Sequence, residues 1–205
     1  MLTPHNLLAL LSVGATILAF NNSATFHKLT LRPYLVVRDG SQAYRVVTHA
    51  FIHADWMHLL FNMIALWSFG GAAVAYLHQV AEAPNTHFYC LYFGAILFSS
   101  LPDLVKRRNN PGYASVGASG AISAVIFFTM LFNPWHIMYV FFIPCPGIIF
   151  GVLYLIYSGY MSRKGGSIIN HDAHFYGALF GLLYPLFVVP EIYSFFLSQL
   201  FHPHF

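Results

Sequence analysis

Long apolar runs parted by short polar stretches constrain this chain more than any other feature. A bilayer core about 30 Å thick requires roughly 20 apolar residues per helical crossing. Six candidate spans are read at 4–21, 52–77, 87–105, 116–132, 138–160 and 173–198. Charged residues are only 7% of the chain, against about 25% in a soluble domain. The apolar/polar alternation of outer soluble elements is scarce, so burial in a water-facing core is the poorer explanation. Backbone at membrane depth must satisfy its own hydrogen bonds, so all six spans are expected to be helices. The expected fold class is all-α: a polytopic membrane protein of six transmembrane helices, forming one domain over 1–205.

The same pattern excludes several classes. The nine Lys and Arg residues lie in loops and form no aromatic-laced stripe, so no nucleic-acid partner is expected. Cys90 and Cys145 sit inside apolar runs and read as packing residues without a structural disulfide. The first run has no basic n-region and no clear cleavage site, so it reads as a retained helix. The connector from Asn21 to Thr48 mixes cations with Leu35, Val36 and Val37, which suggests a structured element at the membrane interface. Arg163, Lys164, Gly165 and Gly166 read as a mobile turn. No internal repeat is evident, which argues against an inverted-repeat transporter built on the histidines.

Polar residues inside apolar spans are costly and mark candidate chemistry. Three clusters qualify: His49 to Asn62, Gly117 to Ser123, and His171 to Gly181. Ser119 stands between Gly117-Ala118 and Gly120 at the start of a run. A helix start offers unpaired N–H groups that can hold an oxyanion. The plainer alternative is a small-residue packing seam with Ser119 bonded to a backbone carbonyl. His174 shares a helical face with Gly177 and Gly181, a face suited to close packing. A serine hydroxyl needs a base, and histidine is the usual one, although a buried structural histidine would look the same. His58 and Asn62, four apart, both donate hydrogen bonds from one face. His49 and His53 read as structural hydrogen-bonders, His171 as solvated, Asp172 as a helix-start residue or as one that orients His174, and Asp55-Trp56 as a helix start with an interfacial aromatic.

With these three clusters in this order, the sequence resembles the rhomboid family of intramembrane serine proteases, bacterial six-span type. The family's His-x-x-x-Asn motif falls on His58 and Asn62, its Gly-x-Ser-Gly on Gly117 to Gly120, and its Ala-His-x-x-Gly on Ala173, His174 and Gly177. The resemblance implies a Ser119–His174 dyad, with His58, Asn62 and the Ser119 N–H as oxyanion hole. It implies near-site or structural roles for Gly117, Gly120, Gly177, Gly181, His53 and Arg45. It implies transmembrane protein substrates within a lipid bilayer, no metal or other cofactor, and a bacterial inner membrane. Its active site opens on the outer face, whereas the positive-inside rule would make the cation-bearing first, third and fifth loops cytoplasmic. The family orientation is the expectation carried forward.

Two positions depart from the family pattern. Tyr44-Arg45 replaces a Trp-Arg pair. Ser123 replaces a tyrosine that stacks on the catalytic histidine, and Phe127, one turn further along, is the expected substitute. Two other functions compete. A metal-dependent hydrolase would draw on His49, His53, Asp55, His58 and His174, but no His-Glu-x-x-His motif is present. A non-catalytic rhomboid-like binder of transmembrane helices would usually lack the serine or the histidine, and both are kept here.

Overall fold

The computed structural model describes residues 2–140, 142–164 and 169–201. The chain is mostly helical. Helix α1 (Pro4–Asn21) begins with proline at its first position, where the missing N–H costs nothing. Four short elements follow: α2 (Ser23–Leu29), α3 (Pro33–Val36), a 3-10 turn at Gly40–Gln42 and α4 (Arg45–Thr48). The connector is thus structured, as its mixed composition suggests. Arg45 organises it. Its guanidinium is buried and donates to the carbonyls of His27 (2.7 Å) and Thr30 (2.9 Å) and to Gln42 Oε1 (2.7 Å).

Helix α5 (Trp56–Val80) starts where Asp55 accepts from the His58 N–H at 2.8 Å. Helix α6 (Pro84–Lys106) again starts on proline. Helix α7 (Ser119–Phe132) is enclosed by its neighbours, with eleven of its 14 residues buried. Then come an antiparallel hairpin, β1 (Ile137–Val140) with β2 (Ile143–Pro146), and α8 (Gly147–Lys164). Helix α9 (His171–Leu183) continues as a 3-10 turn over Tyr184–Phe187, and α10 (Ile192–Phe201) closes the described chain.

Three helices, α1, α5 and α6, are individually long and apolar enough to cross a bilayer. Among the described residues, helix α9 with its 3-10 extension counts as a fourth only if it forms one span with α10, from which it is bent by 117°. These helices make the chain an integral membrane protein. Length and composition by themselves therefore mark three or four crossings where the sequence suggests six.

Two span boundaries need correction. The fifth apolar run was expected to be helical from 138, but 137–140 and 143–146 pair as antiparallel strands. Pro144 and Pro146 cannot donate helical hydrogen bonds, which delays the helix to Gly147. The sixth run was expected to be continuous to 198. It breaks after Phe187, where Pro185 and Pro190 interrupt the backbone ladder. Cys90 is exposed rather than packed, since its side of α6 faces outward. The expected turn at Gly165 and Gly166 lies outside the described residues.

The core lies where α5, α6, α7 and α9 meet. Phe88, Leu91, Tyr92 and Ala95 of α6, Leu66 and Leu77 of α5, and Ala121, Ala124 and Phe128 of α7 are all buried there. Helix α9 packs on α7 more extensively than any other pair of elements.

Candidate active site

The α7–α9 contact explains how two residues 55 apart meet. A Cβ on Gly177 would stand 2.0 Å from the Gly120 carbonyl oxygen, and one on Gly181 would stand 2.1 Å from that of Ala124. No side chain fits in either place, so backbone rides on backbone. One turn before Gly177, the same face of α9 brings His174 Nε2 to 2.8 Å from Ser119 Oγ. This is hydrogen-bond distance between a hydroxyl and a ring nitrogen that can take its proton.

Ser119 is the first residue of α7. Its own N–H and that of Gly120 precede the first intrahelical bond, which runs from Ile122 N to Ala118 O at 3.0 Å. Gly117 shapes the approach. Its φ is +112°, a region closed to most side chains, and its N–H donates to the His49 carbonyl at 2.9 Å. The Cε1–Nε2 edge of the His58 ring lies against it: a Cβ there would stand 2.6 Å from Cε1 and 2.8 Å from Nε2.

His58 and Asn62 come from the first turns of α5. The Ala54 N–H points at His58 Nδ1 (3.5 Å), which leaves the ring proton on Nε2, the nitrogen beside Gly117. Asn62 is buried and donates from Nδ2 to the His58 carbonyl at 2.8 Å. That amide nitrogen carries a second N–H, which this bond does not use.

Two neighbours behave differently from the sequence reading. His171 is buried, edge-on to both Tyr157 and His174, where a solvated residue was expected. The start of α9 is held inward by a polar cluster that the sequence does not reveal. In it Asn170 caps the helix and donates to Asp103, while Asp172 takes Lys106 Nζ (2.6 Å) and the Ser162 hydroxyl. Asp172 therefore serves the helix start and does not hydrogen-bond His174.

The second difference concerns Phe127. It is buried, but it packs on Tyr154 of α8, and Tyr154 is the residue stacked on His174, with ring centroids 6.1 Å apart and planes 23° apart. The Tyr154 hydroxyl lies 2.6 Å from Ser123 Oγ, which donates to the Ser119 carbonyl at 2.8 Å. The serine has one proton to give, so the tyrosine must be the donor in the first of these bonds. Sequence reasoning missed Tyr154 because helix-helix proximity is not written in the spacing of one run. Its only signal was a polar aromatic inside an apolar stretch.

His49 and His53 are structural in this geometry. His49 Nδ1 bonds the Arg45 carbonyl at 3.0 Å, and His53 Nδ1 meets Thr16 Oγ1 of α1 at 3.1 Å. Burial lowers the pKa of His49 to about 4. Burial, then the nearby His58, lowers that of His53 to about 3. Both are neutral at physiological pH. Among the described residues no group of three or more His, Cys, Asp or Glu side chains is placed to hold a metal ion. A cleft of about 310 Å³ lined by Leu11, Ala15, Leu29, Thr48 and Phe51 is apolar and includes neither Ser119 nor His174.

Comparison with known proteins points the same way. Residues 40–191 match the Rhomboid domain family. The mitochondrial RHOMBOID-like protein 12 of Arabidopsis thaliana is 26% identical over 149 residues, 68% of this chain and 44% of that protein. The mitochondrial Rhomboid protein 1 of Saccharomyces cerevisiae is 30% identical over 151 residues, 70% of this chain and 41% of its own. Rhomboid protease GlpG of Yersinia pseudotuberculosis is 30% identical over 142 residues, 69% of this chain and 47% of its own. The match thus spans less than half the length of each of these relatives, and they come from both mitochondria and a bacterium. With the family match running from within the first loop to just before α10, well over half of the chain, the chain belongs to the rhomboid family.

Proposed function

We propose that this protein is an intramembrane serine endopeptidase that cuts transmembrane segments of other membrane proteins through a Ser119–His174 dyad. The observation that carries this reading is the 2.8 Å contact between Ser119 Oγ and His174 Nε2, made at the N-terminus of a buried helix. The Ser119 hydroxyl donates to Nε2, so the ring proton resides on Nδ1. On attack, Oγ bonds the scissile carbonyl carbon and its proton passes to Nε2. The oxyanion is held by the Ser119 N–H, the free N–H of Asn62 and His58 Nε2–H. The tetrahedral adduct collapses with breakage of the C–N bond, and Nε2 returns the proton to the leaving amine. Water then attacks the acyl-enzyme, with His174 taking its proton and restoring it to Oγ.

Tyr154 sets the plane of the base. No carboxylate is hydrogen-bonded to His174 among the described residues, so ring orientation falls to the stacked tyrosine. The Tyr154–Ser123–Ser119 hydrogen-bond chain ties that tyrosine to the helix of the nucleophile.

Six crossings, α1 and α5 to α9, fit this function. Helix α7 has 14 residues and so spans only about 21 Å, less than the ~30 Å of hydrocarbon. Its burial on nearly all sides means that it does not need to match the lipid. With Phe132 near one surface, Ser119 sits below the other, and of the irregular backbone before it only the last residues, Gly117 and Ala118, are fully buried. Hydrolysis inside the membrane boundary follows from that submerged position.

The decisive experiment reconstitutes the protein in liposomes with a model single-span substrate. Cleavage and labelling by a fluorophosphonate probe should both occur, and both should vanish in Ser119→Ala. Cleavage that persists in Ser119→Ala would end the reading.

A further inference from the structure

Charge is distributed over this bundle with unusual polarity, and the structure shows which end carries it. The segments 22–55 and 107–118 meet through a two-way backbone bridge, Leu31 N to Ser115 O and Ser115 N to Leu31 O, each 3.0 Å. Arg38 reaches from the first of these segments to the Arg108 carbonyl at 2.6 Å. The end of α6 joins the start of α9 through Lys106–Asp172, and the end of α8 joins it through Ser162–Asp172. All of these segments therefore lie at the end of the bundle that holds Ser119. The connectors 81–83, 133–146 and 188–191 lie at the other end, where His87 of α6 bonds Tyr184 after α9 (3.0 Å) and Ile148 N of α8 bonds the Pro134 carbonyl after α7 (2.7 Å).

All nine Lys and Arg residues belong to the Ser119 end: Lys28, Arg32, Arg38, Arg45, Lys106, Arg107, Arg108, Arg163 and Lys164. The connectors at the opposite end carry Glu82 and Glu191 and no Lys or Arg. Some of these cations have structural duties. Arg45 is buried on carbonyls, Lys106 pairs with Asp172, and Arg38 is bonded to the Arg108 carbonyl and Asn109. Arg32 also contacts His27, and Arg107 lies over the Tyr113 ring; setting all five aside leaves Lys28, Arg108, Arg163 and Lys164, four against none. Cations in short loops resist translocation and favour the anionic leaflet on the side of insertion, whereas Asp and Glu count for little. Every one of these residues lies in a connector short enough for the rule, or within a turn or two of a helix end.

We propose that the Ser119–His174 end of the bundle faces the side from which the chain is inserted, against anionic headgroups, so that substrates are cut at that side of the bilayer. This is the reverse of the orientation that the bacterial resemblance implies. It rests on the six-crossing protease reading and assigns that site the half of the substrate helix it can reach. A scissile segment must then lie toward the insertion side of its own transmembrane helix, and the fragment released from the bilayer there stays in the compartment of synthesis.

The test uses the full chain expressed in the inner membrane of a bacterial host. In a Cys90→Ser, Cys145→Ser background, Asn109→Cys reports the Ser119 end and Ala83→Cys the opposite end; both positions are exposed. A membrane-impermeant maleimide added to intact spheroplasts should modify Ala83→Cys fully. Asn109→Cys should react only after permeabilisation. Modification of Asn109→Cys alone in intact spheroplasts would overturn the proposal while leaving the protease reading untouched. Reaction of both from one side would overturn it differently, by removing the alternating crossings. A second variant guards against a structural cause. Neutralising Arg107, Arg108, Arg163 and Lys164 to Gln and adding Ala81→Lys and Ala83→Lys should yield a mixed population, with at least a tenth of molecules inverted. A uniform orientation in that variant would show that the charges do not set it.

Discussion

The α7–α9 seam and the α8 flank, both of which touch His174, are built on opposite terms. The seam is closed by Gly177 against Gly120 and Gly181 against Ala124, with backbone in contact and no slack. Helix α8 buries only Gly147, Gly151 and Ser158 of its 18 residues. Its own glycine facing α9, Gly159, would let a Cβ sit 3.5 Å from the Phe175 ring, ordinary contact. The Ser119–His174 distance is thus fixed by the rigid pair, and the orientation of the histidine ring by a side chain on the looser one. Under the proposed function, α8 can shift to admit a substrate helix without separating Ser119 from His174.

That contrast is easiest to break at the glycines. Gly177→Val should reduce proteolysis by at least about a hundredfold and destabilise the bundle, because its side chain has no volume to enter and overpacking commonly costs ~1–3 kcal/mol or more. Gly159→Ala should leave cleavage within about twofold, since the added methyl group would make only ordinary contact with the Phe175 ring. Side-by-side turnover and thermal midpoints in detergent would decide the matter. Equal losses in both variants would mean that the two interfaces are equally tight.

The oxyanion donors come next in size. Asn62→Ala should slow turnover by roughly tenfold to a thousandfold with KM nearly unchanged, since one donor to developing charge is worth about 3 kcal/mol. Measured kcat and KM separate this from recognition. A raised KM with normal kcat would place Asn62 in substrate binding.

Tyr154 sharpens the other side of the comparison. Tyr154→Ala removes the stack and the hydroxyl together and should lower kcat by about tenfold, in keeping with an aromatic contact worth ~0.5–1.5 kcal/mol plus a misplaced base. Tyr154→Phe keeps the ring and loses only the bond to Ser123, so a decrease of about threefold is expected. If the phenylalanine variant fell as far as the alanine one, the hydroxyl chain would matter more than the stack.

The residues involved show why some of this was legible in advance and some was not. Ser119, His174, His58 and Asn62 stand out in sequence because polar groups in apolar runs need a reason. The glycines on the face of His174 announced a close helix contact. The continuous apolar runs could not announce where prolines would leave 137–140 and 143–146 as paired strands or bend the last span after Phe187. Nor could they reveal Tyr154, since one apolar run says nothing about which side chain of another it will meet. His171 was misread for a related reason. Its place near a span end suggested water, but Tyr157 of α8 covers it.

The smallest expected effect concerns the first loop, which anchors the seam through the His49 carbonyl and Gly117 N–H. His49 has its pKa lowered by burial to about 4, against an ordinary value of 6.5. Between those values the unfolded chain binds a proton that the folded chain refuses. Stability is therefore full above about pH 6.5 and declines as pH falls toward 4, by at most ~1.4 kcal/mol per pH unit for this one group. In a protein of this size that corresponds to roughly 2–4 °C of thermal midpoint per kcal/mol. His53, lowered to about 3, adds a second contribution of the same sign. Midpoints in detergent should therefore drop from pH 7 to pH 5. His49→Gln keeps a donor for the Arg45 carbonyl and removes the titration, so its midpoint should fall less steeply over the same interval. Identical slopes for the two proteins would show that His49 is not held neutral. The loop would then be wetter, and the anchor at Gly117 looser, than the buried ring implies.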